Sequence, residues 1–256
     1  GDTYRTEIAR TAMIRRLVAG ATLAGAPWAR DATPYSVDRA SGGGILLIGD
    51  AASFVDPLSS FGVKKALASA WLAAVAVHTA IAEPSMAAAA FELFDGRERA
   101  MFDNLQRQSA ALSRDAAGAY RSDFWRGRAD GTWNDSPGEI DVAALRADAR
   151  VVSAFEELKR RPAVKLRAGG SMSIVDRPIV RDHRVVLEQH LTGPALPNAV
   201  RYCRNVNLVL ITTLAAQFDQ VPDLFDAYNR AAPPAPLPDF LAALSTLVGL
   251  DLLTFA

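Results

Sequence analysis

Four apolar residues in a row, Ile45 to Ile48, follow three glycines and run into a polar loop. Such a run, β-branched at both ends and without alternation, predicts a strand buried on both faces. Gly49-Asp50 ends it, and Pro57 and Gly62 punctuate the loop that follows. From about Gly62 to Ile81 an Ala- and Leu-rich run predicts a helix. Strand, polar loop and helix start together make a ligand site. Ligands of open α/β sheets lie beyond the carboxyl ends of the strands, where a helix N-terminus offers free N–H groups and partial positive charge.

Upstream, Thr6 to Ala19 sets Ile8, Met13, Ile14 and Leu17 against Glu7, Arg15 and Arg16, which predicts an amphipathic helix ending at Gly20. Pro27, Trp28 and the segment Thr33 to Val37 read as an extended return toward Ile45. Downstream, Pro84 opens a helix to about Tyr120, with Phe91, Phe94, Met101, Leu105 and Leu112 as a core stripe among Arg97, Arg99, Arg107 and Arg114. Asp130 to Gly138 is a polar, turn-rich break and the expected domain boundary. Val142 to Arg160 is helical again. Ser171 to Ile179 and Arg184 to His190 predict two strands joined through Arg181-Asp182-His183. Helices are expected over Val206 to Ala216, Val221 to Asn229 and Pro238 to Leu250, with the Pro-rich link Pro233 to Pro238 before the last. The expectation is an α/β fold with a mainly helical C-terminal part, in a helix, hairpin, helix order like a winged helix.

Half of the 256 residues are hydrophobic, enough for a real core. Lys and Arg number 28 and Asp and Glu 28, so the formal charge is zero and no global field draws the chain to nucleic acid or an anionic membrane. The basic cluster Lys159, Arg160, Arg161, Lys165 and Arg167 lacks interleaved aromatics and suits a solvated helix C-terminus. Single Cys203 excludes an intrachain disulfide and fits a reducing compartment. Gly1 to Arg10 has no apolar signal core, and the apolar stretch from Ala66 to Ile81 is shorter than the ~20 residues of a membrane span. A cytoplasmic protein without membrane or nucleic-acid partners is expected. His183 and His190 lie seven apart with no third ligand, so no metal site is expected.

Gly49-Asp50-Ala51-Ala52, Asp56-Pro57-Leu58, Ser60 and Gly62-Val63 together resemble the second flavin motif of the FAD-dependent aromatic hydroxylase superfamily. The branch they resemble most is that of the flavin-dependent (tryptophan) halogenases and related monooxygenases. The resemblance implies the C-terminal portion of a glutathione-reductase-like FAD-binding domain. It also implies that Asp50, following Gly49, accepts a hydrogen bond from the ribityl chain, while Pro57, Ser60, Gly62 and Val63 lie along the pyrimidine edge of the ring. Ser59, Phe61 and Lys64 would face the substrate or flavin side. Residues 1–38 would end the substrate domain and return to the FAD sheet, 39–129 would complete the FAD domain, and 139–256 would form the C-terminal domain with its hairpin. The segment Ser122-Asp123-Phe124-Trp125-Arg126 is similar to an aromatic-arginine segment of halogenase-like sequences.

No strand is followed by Gly-x-Gly-x-x-Gly, since Gly42-Gly43-Gly44 precedes its strand. The pyrophosphate-binding half is therefore expected elsewhere, in a longer chain or a separate subunit, and is itself a partner. The family's reaction runs through a flavin C4a-hydroperoxide, whose oxygen goes either to an electron-rich substrate or to a halide. Halogenases hold the halide with a threonine where this chain has Phe61, and a phenyl ring has no donor for an anion. The expectation is an FAD-dependent monooxygenase hydroxylating an aromatic substrate, free or borne on a carrier or peptide, with bound NAD(P)H or a separate flavin reductase as electron source. A halogenase is the alternative within enzymes. A non-catalytic half or scaffold of a split flavoprotein is the alternative of another class. Lys64 and Lys65 oppose the dipole of the helix they begin: either one pairs with an acidic neighbour, or Lys64 stabilises anionic flavin or an acidic substrate group.

Overall fold

In a computed structural model, residues 2–120, 122–129, 147–161 and 163–256 are described. The chain opens with α1 (Asp2–Arg10) and α2 (Ala12–Leu17), neither of which buries a residue. One amphipathic helix was expected here. Thr11 divides it, extended at φ −94° and ψ 100°, with its hydroxyl donating to Glu7 O at 3.1 Å. Such local side-chain bonds compete with the helical ladder.

Two short antiparallel pairs follow. β1 (Tyr35–Ser36) pairs with β4 (Ser53–Phe54), and β2 (Ser41–Gly42) with β3 (Ile45–Leu46). The expected four-residue strand buried on both faces is thus two residues long, with Ile45 65% and Ile48 43% exposed. Among the described residues β2 is the only strand hydrogen-bonded to it, while Leu46 and Leu47 pack against the α3–α4 core. Asp95 fixes this β2–β3 hairpin to the helix behind it, its Oδ1 accepting from Ala40 N and Ser41 N and its Oδ2 from Ser41 Oγ at 2.7 to 2.9 Å.

α3 (Gly62–Ala82) and α4 (Ala87–Ala119) lie against each other, joined by a 3-10 turn that starts at Pro84. Their apolar contact is made by Leu72, Ala73, Val75, Ala76, Ala90 and Phe94. α3 has 21 residues, long and apolar enough by length and composition to cross a membrane, which corrects the shorter span expected. It buries one face only. Trp71 and His78 are exposed, as are Val63, Leu67 and Ile81. α5 (Asp123–Ala129) folds back on α4. The expected boundary at 130–138 and the start of the helix expected from Val142 lie outside the described residues.

α6 (Ala149–Arg160) begins the C-terminal part, capped by the Asp148 carboxylate on Arg150 N. β6 (Ser173–Arg181), β7 (Arg184–Gly193) and β8 (Leu196–Val200) form an antiparallel sheet, one strand more than expected. β5 (Leu166–Ala168) pairs with the last strand, β11 (Leu253–Phe255), and β9 (Tyr202–Cys203) with β10 (Val206–Asn207). α7 (Leu208–Ala215), α8 (Val221–Ala231) and α9 (Leu237–Gly249) complete the chain at nearly the expected bounds. Their core centres on Tyr228 and Phe240, whose rings lie 5.5 Å apart; the Tyr228 hydroxyl accepts from Asn207 N at 2.8 Å. The β6–β7 turn reaches the other core. Val180 and Val185 pack among the α3–α4 residues, and Val185 N donates to Thr79 Oγ1 at 2.9 Å.

α9 crosses α6 at Gly249, where an added Cβ would lie 2.7 Å from Val151 Cα and 2.8 Å from its N. Gly249→Ala should therefore lower stability by about 1–3 kcal/mol through overpacking, read as a lower urea midpoint with an unchanged slope.

Candidate functional site

The loop from Gly49 to Phe61 is shaped by backbone conformation before any side chain acts. Gly49 has φ +57°, and a Cβ there would lie 3.1 Å from Ala66 Cβ. Both facts call for glycine, and they let the loop lie flat on the first turns of α3. Residues Gly49–Ala51 make a 3-10 turn that leaves the Asp50 side chain exposed. Its carbonyl accepts from Tyr35 Oη at 2.5 Å, tying the turn to β1.

The second half of the loop is organised by Asp56. It caps the Pro57–Ser59 3-10 turn, Oδ1 accepting from Leu58 N at 2.9 Å. Its Oδ2 accepts from both Nε and Nη2 of Arg128 on α5, with Nε at 3.1 Å. Ser59 Oγ donates to Asp56 O at 2.6 Å and accepts weakly from Phe61 N at 3.4 Å. Ser60 is left-handed at φ 58°, which turns the chain into α3. No side chain caps that helix. Its first N–H groups therefore stay open beside the exposed Val63 and Lys64, an arrangement suited to an anion or a polarised carbonyl.

Beneath the loop the α3–α4 contact changes from apolar to polar. Lys65 is 2% exposed, and its Nζ donates to Gly49 O at 2.7 Å and to Ser53 O at 2.5 Å. Gly49 N donates to the buried Ser69 Oγ at 3.1 Å. Across from them α4 buries Glu98, Gln106, Ser109 and Ser113. Leu112, expected in the core stripe, is exposed instead. Glu98 is 4% exposed, and among the described residues neither carboxylate oxygen finds a hydrogen bond of standard geometry, nor do Gln106 Nε2 and Ser109 Oγ. Burial pushes the Glu98 carboxyl up, opposed by the Ser69 hydroxyl and the Lys65 charge. Burial pushes Lys65 down, opposed by Glu98 and then Asp50. Next to this polar stripe a cavity of about 460 Å³ opens between α4, α5 and the Asp31–Pro34 segment, with Gln106, Ser109 and Arg128 in its wall.

All the motif residues lie on this one loop and helix start. Gly49 is buried and Ser59, Phe61 and Gly62 are half-buried, while Asp50, Pro57, Ser60, Val63 and Lys64 are exposed. Ser59 and Ser60 do not cap α3, and of the two lysines it is Lys65 that meets acidic groups. Sequence reasoning missed Lys65, Ser69, Glu98 and Arg128 as parts of the site. Helical spacing carried a signal for one of them: Lys65 shares a face with Ser69, Leu72, Ala76 and Thr79, all buried. His183 sits in the β6–β7 turn and His190 on β7, with Nδ1 2.9 Å from Glu188 O.

No protein-family model matches the chain, and no curated protein matches it. Two solved structures are similar. One is a peptidyl tryptophan dihydroxylase, QhpG, essential for tryptophylquinone cofactor biogenesis: TM-score 0.62 at 21% identity, over 96% of this chain and 50% of that one. The other is CmlS, a flavin-dependent halogenase: TM-score 0.55 at 19% identity, over 99% of this chain and 52% of that one. This chain shares their fold. It spans about half the length of each, and at such identities the likeness is one of fold.

Two outcomes follow from the site's geometry. Arg128→Met leaves Asp56 buried with one donor, and should cost about 1.5–3 kcal/mol of loop stability, read by amide exchange at Leu58 and Ser59. A carboxyl raised by burial contributes stability below its unfolded value and loses it as pH rises through its folded value. The contribution of Glu98 should thus decline from about pH 4 upward. Lys65 is the charge that acts on it, and Lys65 in turn also feels Asp50. Glu98→Gln should flatten that slope in urea titrations.

Proposed function

We propose that this chain is the part of an FAD-dependent monooxygenase that receives the ribityl chain and pyrimidine edge of the flavin. The complete enzyme would hydroxylate an aromatic or similarly electron-rich substrate, free or borne on a peptide or carrier. The observation that carries this reading is the pairing of an outward Asp50 carboxylate with an uncapped α3 N-terminus on one rigid loop. The residues fit the cofactor. Asp50 is free to accept a ribityl hydroxyl, and the N–H groups of Gly62 and Val63 can meet the C2 carbonyl and N1 region, where reduced flavin concentrates negative charge. Lys64 stands beside that edge, its charge available to anionic flavin or an acidic substrate group. When bound, reduced flavin supplies the electrons that activate dioxygen; the chain's own residues orient the ring and present its edge.

Hydroxylation is preferred to halogenation because of the Ser59-to-Phe61 turn. Phe61 has no donor, and the Ser59 hydroxyl is already committed to Asp56 O. The similarity to CmlS keeps a halogenase as the second reading. A non-catalytic half is the third, distinguished by absence of turnover when the chain is joined with its flavoprotein half. The exposed Ile45, Ile48, Val63, Leu67 and Trp71 support a further α/β part, carrying the pyrophosphate loop, that seats against this side. Electrons would come from bound NAD(P)H or a separate flavin reductase, in the cytoplasm.

In the complete protein, Asp50→Ala should weaken FAD by about 1.5–3 kcal/mol, roughly ten- to a hundredfold in Kd. Full flavin occupancy of that variant after gel filtration would show the assignment to be wrong. Turnover under labelled dioxygen with saturating bromide decides the reaction: the product should carry oxygen label and no bromine, and a brominated, unlabelled product selects the halogenase.

A further inference from the structure

A lysine in a protein interior is costly unless its charge is answered. If the space under the loop needed only filling, an apolar side chain would fill it at less cost. Lys65 instead spends two of its three donors on two particular carbonyls, Gly49 O and Ser53 O, one at each end of the turn that carries Asp50. The same turn is held a second time by Ser69 Oγ, which accepts from Gly49 N. Glu98, buried on α4 beside the Ser69 hydroxyl, is the acidic group whose charge bears most on Lys65.

We propose that Lys65 is a positioning residue: its buried ammonium, charge-balanced by Glu98, closes the Gly49–Ser53 turn and so aims Asp50 at the flavin without touching it. The flavin part of this statement rests on the function proposed above; the closing of the turn does not. Two observations agree on the geometry. Lys65 lies one turn of helix before Ser69, so both anchors come from one face of α3. Gly49 cannot gain a side chain without meeting Ala66, which keeps the turn within reach of the ammonium. The inner amides of the turn, Ala51 N and Ala52 N, donate to Ile48 O and Gly49 O, both at 3.1 Å, so their exchange reports the opening of the turn that Lys65 closes.

The test is amide exchange on this chain without flavin, in Lys65→Met and in the double variant Lys65→Met/Glu98→Gln, which removes both buried charges. Exchange at Ala51 and Ala52 should quicken by at least about tenfold in both variants, while Ile211 and Leu247 in the C-terminal core stay within about twofold. The double variant should regain stability lost by the single one, because no charge is left unanswered, yet keep the fast exchange. If the single variant does not fold, the double variant carries the comparison. Exchange at Ala51 and Ala52 that returns to the original rate as stability returns makes the pair a core filler and overturns the proposal, as does unchanged exchange in either variant. In the flavin-bearing complete protein the double variant should also bind FAD at least about tenfold more weakly and alter the visible circular dichroism of the flavin. Fast exchange with unaltered flavin binding would leave the clamp standing and remove its link to flavin, whereas a neutral Asp50→Ala would count against the flavin reading alone.

Discussion

The ammonium of Lys65 on the carbonyls of Gly49 and Ser53 is the interaction around which this half of the molecule is arranged. Because it is buried, its charge calls for polar groups nearby. The α3–α4 pair accordingly buries Leu72, Val75, Ala76 and Phe94 at one end and adds Ser69, Glu98, Gln106 and Ser109 toward the other. The loop lies flat because Gly49 is the one residue type that lets the backbone come down onto Ala66. Asp56 does for the far side of the loop what Lys65 does for the near side, capping the Pro57 turn and meeting Arg128.

Against that fixed interior, the outside of the same elements is unusually apolar. Val63, Leu67 and Trp71 repeat at helical spacing along the outer face of α3, and Ile45 and Ile48 stand exposed near the loop's start. In the C-terminal part the opposite holds: Tyr228, Phe240, Leu244 and Leu247 are fully enclosed by α6, α7, α8 and the strands around them. The two regions meet at the β6–β7 turn, where Thr79 accepts from Val185 and donates to Val75.

Much of this was legible from residue pattern. The loop and helix after Gly49, the long helix after Pro84 and the last two helices stand within a few residues of where pattern puts them. Flavin-motif spacing put Asp50, Pro57, Ser60, Gly62 and Val63 on one loop, as they are. What failed did so for definable reasons. Ile45 to Ile48 has the composition of a central strand, but composition cannot say whether neighbouring strands are present, and among the described residues the two-residue β3 pairs with β2 alone. The stripe on α4 was read through its apolar members, which hid the fact that after Phe94 its buried face mixes Leu105 and Ala110 with Glu98, Gln106, Ser109 and Ser113. Lys65 was read as one of two cations of which one pairs with an acidic neighbour, which it does; that it lies inward is unusual for lysine and was carried only by its helical register.

The contact between Thr79 and Val185 has a mechanical meaning. Lys65 and Thr79 lie on the same rigid helix, fourteen residues or about 21 Å apart. One end grips the loop and the other grips the tip of the hairpin. A helix is stiff along its axis, so a swing of the hairpin reaches the loop as a tilt of α3, with the packed Leu72 and Ala76 as the fulcrum. The loop and the hairpin tip are thereby fastened to opposite ends of one helix, so neither can shift along the axis of α3 independently of the other.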